Sequence, residues 1–318
     1  MPTNSSGSND REGGDPMSRT PQVGIDHLTL LDVSPPELVT IASETGFDAV
    51  SFRVGTAGPG EEPYPMAVGS PMLEETIRRM EDTGVRVLDV EVIRLGPDIT
   101  RKDYEALLES GQRLGARFIN VMGDDADIDR ISDNFAQLTT DARPYGLRPL
   151  IEPMAYRPVH NLELAVRIAQ RSGGGGVLVD CLHFRRCGDN LNYLRSVDPA
   201  LLPILQLCDA PLAQPTGLPR PRWLPRGQGT DIPDAQLESR AMRLLPGDGE
   251  LPVVELLAAM PAGIPISVEA PVLSLWETLP PVNIARRARQ AVSRLLDEVS
   301  NLHSGPRDEQ SNPKERNQ

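Results

Sequence analysis

GLRPLIEPMAYRPVHNLELAVRIAQRSGGGGVLVDCLHF, residues 146–184, holds the unit from which the rest of the chain can be read. A short apolar run, GLRPLIEP, reaches Glu152. Asn161 then stands where a helix N-cap belongs, and Leu164, Ala165 and Ile168 fall on one helical face. The glycine run Gly173–Gly176 turns the chain into a second apolar run, VLVDCLHF, with Asp180 inside it. Near-continuous apolar strands separated by an amphipathic helix indicate a parallel sheet covered by helices.

The same unit repeats in both directions. Upstream, GIDHLTLL, FDAVSFRV, VRVLDVEVI and ARFINVMG are the first four strands. Ser34-Pro35 and Ser70-Pro71 open helices between them, Thr100 with Asp103 opens another, and Gly46, Gly84 and Gly115 close them. A helix containing Ile131, Phe135 and Leu138 leads back to the quoted unit. Downstream, LLPILQLCDAP and GIPISVEAP are strands seven and eight, and Ile284, Ala288, Ala291 and Leu295 mark a closing helix. Eight such units close a barrel, so the fold expected is an α/β (β/α)₈ TIM barrel, a single domain over residues 21–300. An open doubly wound sheet fits less well: no G-x-G-x-x-G directly follows a strand. Residues 1–20 and 301–318 read as disordered tails, polar and without an apolar core segment.

The chain carries 45 Asp+Glu against 32 Lys+Arg, a net charge of −13, which disfavours partners such as nucleic acid or an anionic membrane. Cys181, Cys187 and Cys208 form no C-x-x-C pair and read as reduced thiols of a cytoplasmic protein. No stretch approaches the roughly 18 apolar residues of a membrane span, and the N-terminus lacks the apolar segment of a secretory signal.

Barrel chemistry sits at the C-terminal strand ends. Four late strands end alike, with an apolar run and then a ligand-type residue: Glu152, Asp180, Gln206 and Glu269. Three carboxylates converging on one mouth repel each other and are costly to bury, and a divalent cation resolves both problems. Oxygen-only ligands point to Mg²⁺ or Mn²⁺ rather than Zn²⁺. For any one of these residues alone, a carboxylate bonded to a neighbouring loop is the simpler reading.

The Glu of IEP, the Asp-x-x-His of DCLH, the run LQLCDAP and the Glu of SVEAP stand in this order over the whole body. Together they resemble the xylose-isomerase-like TIM barrels, the superfamily of sugar and sugar-phosphate isomerases and epimerases. The resemblance implies a metal held by Glu152, Asp180, Gln206 and Glu269, with His183 facing the substrate. Three residues after Asp180, His183 reads as a hydrogen-bond donor to a substrate oxygen or a general acid rather than a loop histidine bonded to backbone. Gln206 stands where many relatives have His, and some dehydratases of this fold, including 3-dehydroshikimate dehydratases, look similar there. The implied chemistry is proton transfer beside a carbonyl through an enediolate, with Glu152 and Glu269 as the acid/base pair. Epimerisation, isomerisation and loss of a β-hydroxyl, as in an inosose dehydratase, all remain open outcomes. A homodimer is expected from the resemblance alone.

Other residues carry weaker expectations. Arg53, Arg185 and Arg222 are candidate substrate-binding residues; with Arg186, Arg220 and Arg226 they suggest an anionic substrate or simply a solvated surface. The Pro- and Arg-rich segment 211–233 is a candidate active-site loop, and its Trp223 either covers a ligand or packs on the surface. Asp209 either orients a ligand or serves a turn, and His27 and His160 are read as structural. A nuclease of the endonuclease IV type would need more histidines than the four present and a basic face. A non-catalytic or partner-dependent ligand-binding barrel is the remaining alternative.

Overall fold

The computed structural model describes residues 21–303. Its strands are β1 (Val23–Ile25), β2 (Ala49–Arg53), β3 (Arg86–Leu95), β4 (Phe118–Gly123), β5 (Arg148–Glu152), β6 (Gly176–Val177), β7 (Val179–Asp180), β8 (Leu205–Leu207) and β9 (Ile266–Val268). All pair in parallel, in the order β6-β5-β4-β3-β2-β1-β9-β8-β7. β6 and β7 are one barrel strand interrupted at Leu178, which donates to the Ile151 carbonyl at 3.1 Å. The nine segments therefore occupy eight barrel positions, and the TIM barrel expected from the repeat is the fold observed.

Two apolar layers hold it together. Inside the barrel, Ala49, Leu88, Phe118, Leu150, Leu178 and Ile204 form a buried floor. Gly24 belongs to the same level, because a Cβ there would lie 2.7 Å from Leu88 Cδ1. Between barrel and helices runs the larger core, which includes Phe52, Leu108, Phe135, Ile168 and Val292. Each such aliphatic or aromatic side chain contributes about 1.5–3 kcal/mol on burial.

The helix starts follow the sequence signals. Ser70 Oγ accepts from Leu73 N, Asn161 Oδ1 accepts from Leu164 N, and Thr100 and Asp103 form a capping box. Ser34 holds the N-cap position of Pro35–Thr45 but makes no side-chain cap bond, so the proline at the first helical position sets that start.

Three elements differ from expectation. β1 stops at Ile25, and His27–Leu30 is a 3₁₀ turn because Asp26 Oδ1 accepts from Leu28 N at 2.8 Å. Cys181–Arg186 is a short helix rather than strand, capped by Asp180. In both places a carboxylate at the strand end offers the backbone an alternative partner to the ladder. The closing helix Pro281–His303 runs past the expected boundary at 300, while the rest of the expected tails lies outside the described residues.

Candidate active site

Of the four strand-end residues, Glu152 is the last of β5, Asp180 the last of β7 and Gln206 the centre of β8, and Glu269 directly follows β9. All four are buried. The barrel brings them to one end, but as two groups rather than one. Glu152, Asp180 and His183 can each offer an atom within 4.8 Å of the others, and so can Asp26, Glu91 and Glu269.

Between the two groups lies Arg243. Its Nη1 donates to Asp180 Oδ2 at 2.6 Å, and its Nη2 faces Glu269 Oε2 at 2.8 Å. The second contact is an ion pair without hydrogen-bond alignment, so Glu269 Oε2 has no hydrogen-bond partner. Nη1 also donates to the Glu269 carbonyl at 3.0 Å and Nε to the Ser239 carbonyl at 2.8 Å, fixing the fork. Arg243 is 1% exposed. It places a positive charge between the two carboxylate groups.

Glu152 Oε2 accepts from Asn120 Nδ2 at 2.9 Å, and Oε1 lies 3.8 Å from His183 Nε2. Burial, reinforced by the Asp180 charge, pushes Glu152 up to about 8. Burial likewise raises Glu269 well above the usual carboxylate range, against the pull of Arg243. Asp26 is raised by burial and then by Glu91 and Glu269. Burial opposes ionisation of Glu91 too, but Arg53, 2.8 Å away, draws it below the usual range. Seven buried carboxyls (Asp26, Glu61, Asp89, Glu91, Glu152, Asp180, Glu269) thus face two buried guanidinium groups, Arg53 and Arg243. The surplus negative charge calls for bound protons or a further cation.

The donor set fits a hard divalent cation. Glu152, Asp180, Gln206 and Glu269 supply oxygen throughout, and Gln206 Oε1 is buried with no hydrogen-bond partner while its Nε2 reaches Asp26 Oδ2 at 3.4 Å.

His183 is buried and pushed down to about 4 by desolvation, so it is neutral at physiological pH. Ser239 Oγ receives Tyr156 Oη–H at 3.1 Å and Arg243 Nη2 at 3.3 Å, leaving its own proton to point at His183 Nε2, 3.3 Å away. A neutral imidazole held this way can orient a substrate oxygen but does not serve as a proton donor of matched pKa.

One cavity lies over these groups, lined among others by Glu152, Glu269, His183 and Arg243. Of the arginines expected to bind substrate, Arg53 lines it, but Glu91 and Glu61 hold its guanidinium. Arg185 does not line it and donates to the Leu212 carbonyl, and Arg222 is exposed away from it. Arg157, Arg240 and Arg243 line it instead.

No residue of the segment 211–233 lines this cavity. That segment is pinned elsewhere: Arg226, at φ 53°, lies over the Tyr64 ring at 4.1 Å and donates to the Glu62 carbonyl. Trp223 sits beside Trp276, ring centroids 6.5 Å apart, over Leu30 and Leu31. Asp209 serves a turn, its carboxylate accepting from Ala210 N, Gly247 N and Leu251 N. His27 is structural, bonded to Val33 O and Arg53 N, and His160 is exposed against Pro158 O.

Sequence reasoning missed Arg243, Asp26, Glu91 and Asn120. Signals were present: Asp89 and Glu91 alternate inside an otherwise apolar strand, and Arg243 interrupts the apolar run Ala-Met-Arg-Leu-Leu.

Comparison with known proteins supplies the family. A family model described as Xylose isomerase-like TIM barrel matches residues 39–296. No curated protein matches the sequence. Among solved structures, a xylose isomerase-like TIM barrel/4-hydroxyphenylpyruvate dioxygenase fusion protein superposes with TM-score 0.68 at 19% identity, over 88% of this chain and 43% of the fusion. The chain thus spans less than half of that protein. The IolI protein, solved with a bound zinc atom, gives TM-score 0.60 at 17% identity, covering 87% of this chain and 97% of IolI. A 3-keto-D-glucoside 4-epimerase from E. coli gives TM-score 0.60 at 17% identity, covering 87% and 100%. At these identities the structural likeness establishes the fold.

Proposed function

The chain belongs to the xylose isomerase-like TIM barrel family, and from that premise we propose that it is a divalent-metal-dependent isomerase or epimerase of a small polyhydroxy carbonyl compound. The observation that carries the proposal is the placement of Glu152 and Glu269. Both are buried, both line one cavity, and they belong to separate carboxylate groups joined by Arg243.

Glu152, Asp180, Gln206 and Glu269 would hold the cation. Bound there, a divalent ion supplies Lewis-acid polarisation of a carbonyl and offsets charge developing on its oxygen. The chain's own residues do the proton work. The ionised member of the pair removes the proton beside the carbonyl, and the C–H electrons move onto the carbonyl oxygen. The protonated member returns a proton, to the opposite face for epimerisation, or to the former carbonyl carbon for isomerisation as the adjacent hydroxyl proton passes to the other enediolate oxygen. Burial favours a proton held by this pair near neutrality, since it raises both carboxyls. Neutral His183, fixed by Ser239, hydrogen-bonds a substrate hydroxyl in the cavity it lines.

Gln206 favours one second reading, a dehydratase in which the same enolate expels a β-hydroxyl. Turnover of ketoses, inososes and dehydroshikimate-like acids, measured alongside metal content, tests both. Metal-loaded protein is expected to turn over one class, and Glu152→Gln to reduce turnover at least about 10²-fold with metal retained. Full turnover by that variant with metal still bound would sink the two-glutamate scheme.

A further inference from the structure

Arg240, in the helix Asp234–Ala241 and three residues before Arg243, lines the cavity and is half-buried. Among the described residues its guanidinium has no carboxylate partner and donates no hydrogen bond, unlike those of Arg53, Arg157 and Arg243. It lies against Gly58, where an added Cβ would be 3.3 Å from Nη2. Burial lowers its pKa below the usual guanidinium value, and the charges of Arg53 and Arg157 push the same way against the pull of Tyr156 and Glu61. A guanidinium kept partly desolvated and unpaired is costly unless a ligand completes it.

Arg157 adds to the same rim. It pairs with Asp124 at 2.5 Å, but Asp124 also pairs with Arg94 at 2.6 Å, so two guanidinium groups share one carboxylate. Arg157 Nε is buried without a hydrogen-bond partner. The cavity lining therefore carries positive charge in excess at Arg240 and Arg157 and carboxyl groups at Glu152 and Glu269.

We propose that Arg240, assisted by Arg157, receives a carboxylate on the substrate, so that the protein acts on polyhydroxy carbonyl acids rather than neutral sugars. The inference rests on the proton-transfer reading of the same cavity, which places the reacting carbon at Glu152 and Glu269. The charge gradient then sets the substrate's direction: carboxylate on the arginines, carbonyl toward the glutamates. A planar carboxylate matches the two-pronged guanidinium fork; a phosphate can present two oxygens to the same fork, so a phosphate probe separates the two anions.

Calorimetric binding of quinate and myo-inositol to the full-length, Mn²⁺-loaded protein tests this. Both are polyols on a six-membered ring, and only quinate carries a carboxylate; a hexose 6-phosphate is the third probe. The expected preference for quinate over inositol is roughly 10- to 100-fold, largely removed by Arg240→Gln and partly restored by Arg240→Lys. Equal affinities, a preference unaltered by Arg240→Gln, or tighter binding of the phosphate would each overturn the proposal. The two readings fail separately. Turnover of neutral ketones without any carboxylate preference removes the subsite and keeps the proton-transfer scheme. An Arg240-dependent carboxylate preference with no turnover of any carbonyl acid keeps the subsite and removes the scheme.

Discussion

Arg243 Nη1 donates to Asp180 Oδ2 at 2.6 Å with both side chains closed to solvent, so one guanidinium holds a carboxylate expected to ligate metal. Its other Nη faces Glu269 at 2.8 Å. Arginine and a divalent cation would therefore compete for the same oxygens. Removing one member of a buried pair costs about 3–5 kcal/mol, because the partner charge is stranded. Arg243→Met should lower metal-free stability by that order, recover part of it on adding Mn²⁺, and bind Mn²⁺ about tenfold more tightly as the competing charge is lost. Weaker Mn²⁺ binding by calorimetry would contradict the competition.

Asp209 should matter for stability rather than for turnover as such. Its carboxylate satisfies Gly247 N and Leu251 N in the turn that follows Arg243, and the neighbouring Ala210 N, and a Cβ on Gly249 would meet Asp209 Oδ1 at 2.5 Å. Asp209→Ala strands those donors, and the expected loss is about 2–4 kcal/mol. Thermal unfolding should register it at about 2–4 °C per kcal/mol for a chain of this size. An unshifted midpoint would show that water replaces the carboxylate at no cost.

His27 gives a pH prediction with a defined sign. Nδ1 accepts from Arg53 N at 3.2 Å, so the proton sits on Nε2 and donates to Val33 O at 2.8 Å. Burial pushes the imidazole down to about 4, against 6.5 for the unfolded chain. The unfolded state then binds a proton that the folded state refuses. Stability from this group is complete above 6.5 and falls as pH drops toward 4, by about 3 kcal/mol at the limit. Asp89, raised to about 8 by burial, acts with the opposite sign, so the comparison with His27→Gln isolates the histidine. Nitrogen-15 NMR should show a neutral Nε2–H tautomer at pH 5.5. A charged ring at that pH would contradict the buried geometry.

The barrel was legible because its signals are local. Apolar runs with period-independent burial, Ser-Pro helix starts and glycine stops such as Gly46 and Gly84 each depend on a few neighbouring residues. The placement of Glu152, Asp180, Gln206 and Glu269 at one end of the barrel was legible for the same reason, since each ends a short apolar run. Arg243 was not, because it reaches the site from a segment beyond the helix Asp234–Ala241, where no strand-end rule applies. Nor was the division of the carboxylates into two groups. Asp26 directly follows β1 and Glu91 lies on β3, and only barrel closure through the β1–β9 pair brings Asp26 beside Glu269. The helix at Cys181–Arg186 was hidden by its apolar, strand-like composition until the Asp180 cap decided it.

The central claim, that Glu152 moves a proton at a carbon beside a carbonyl, is tested most directly by solvent isotope incorporation. Metal-loaded protein would be incubated in D₂O with whichever carbonyl substrate it turns over, and the carbon adjacent to the carbonyl followed by NMR. The prediction is deuterium at that carbon with wild-type protein, and its loss in Glu152→Gln with metal still bound. Product formed without deuterium, or equal incorporation by the variant, would contradict it.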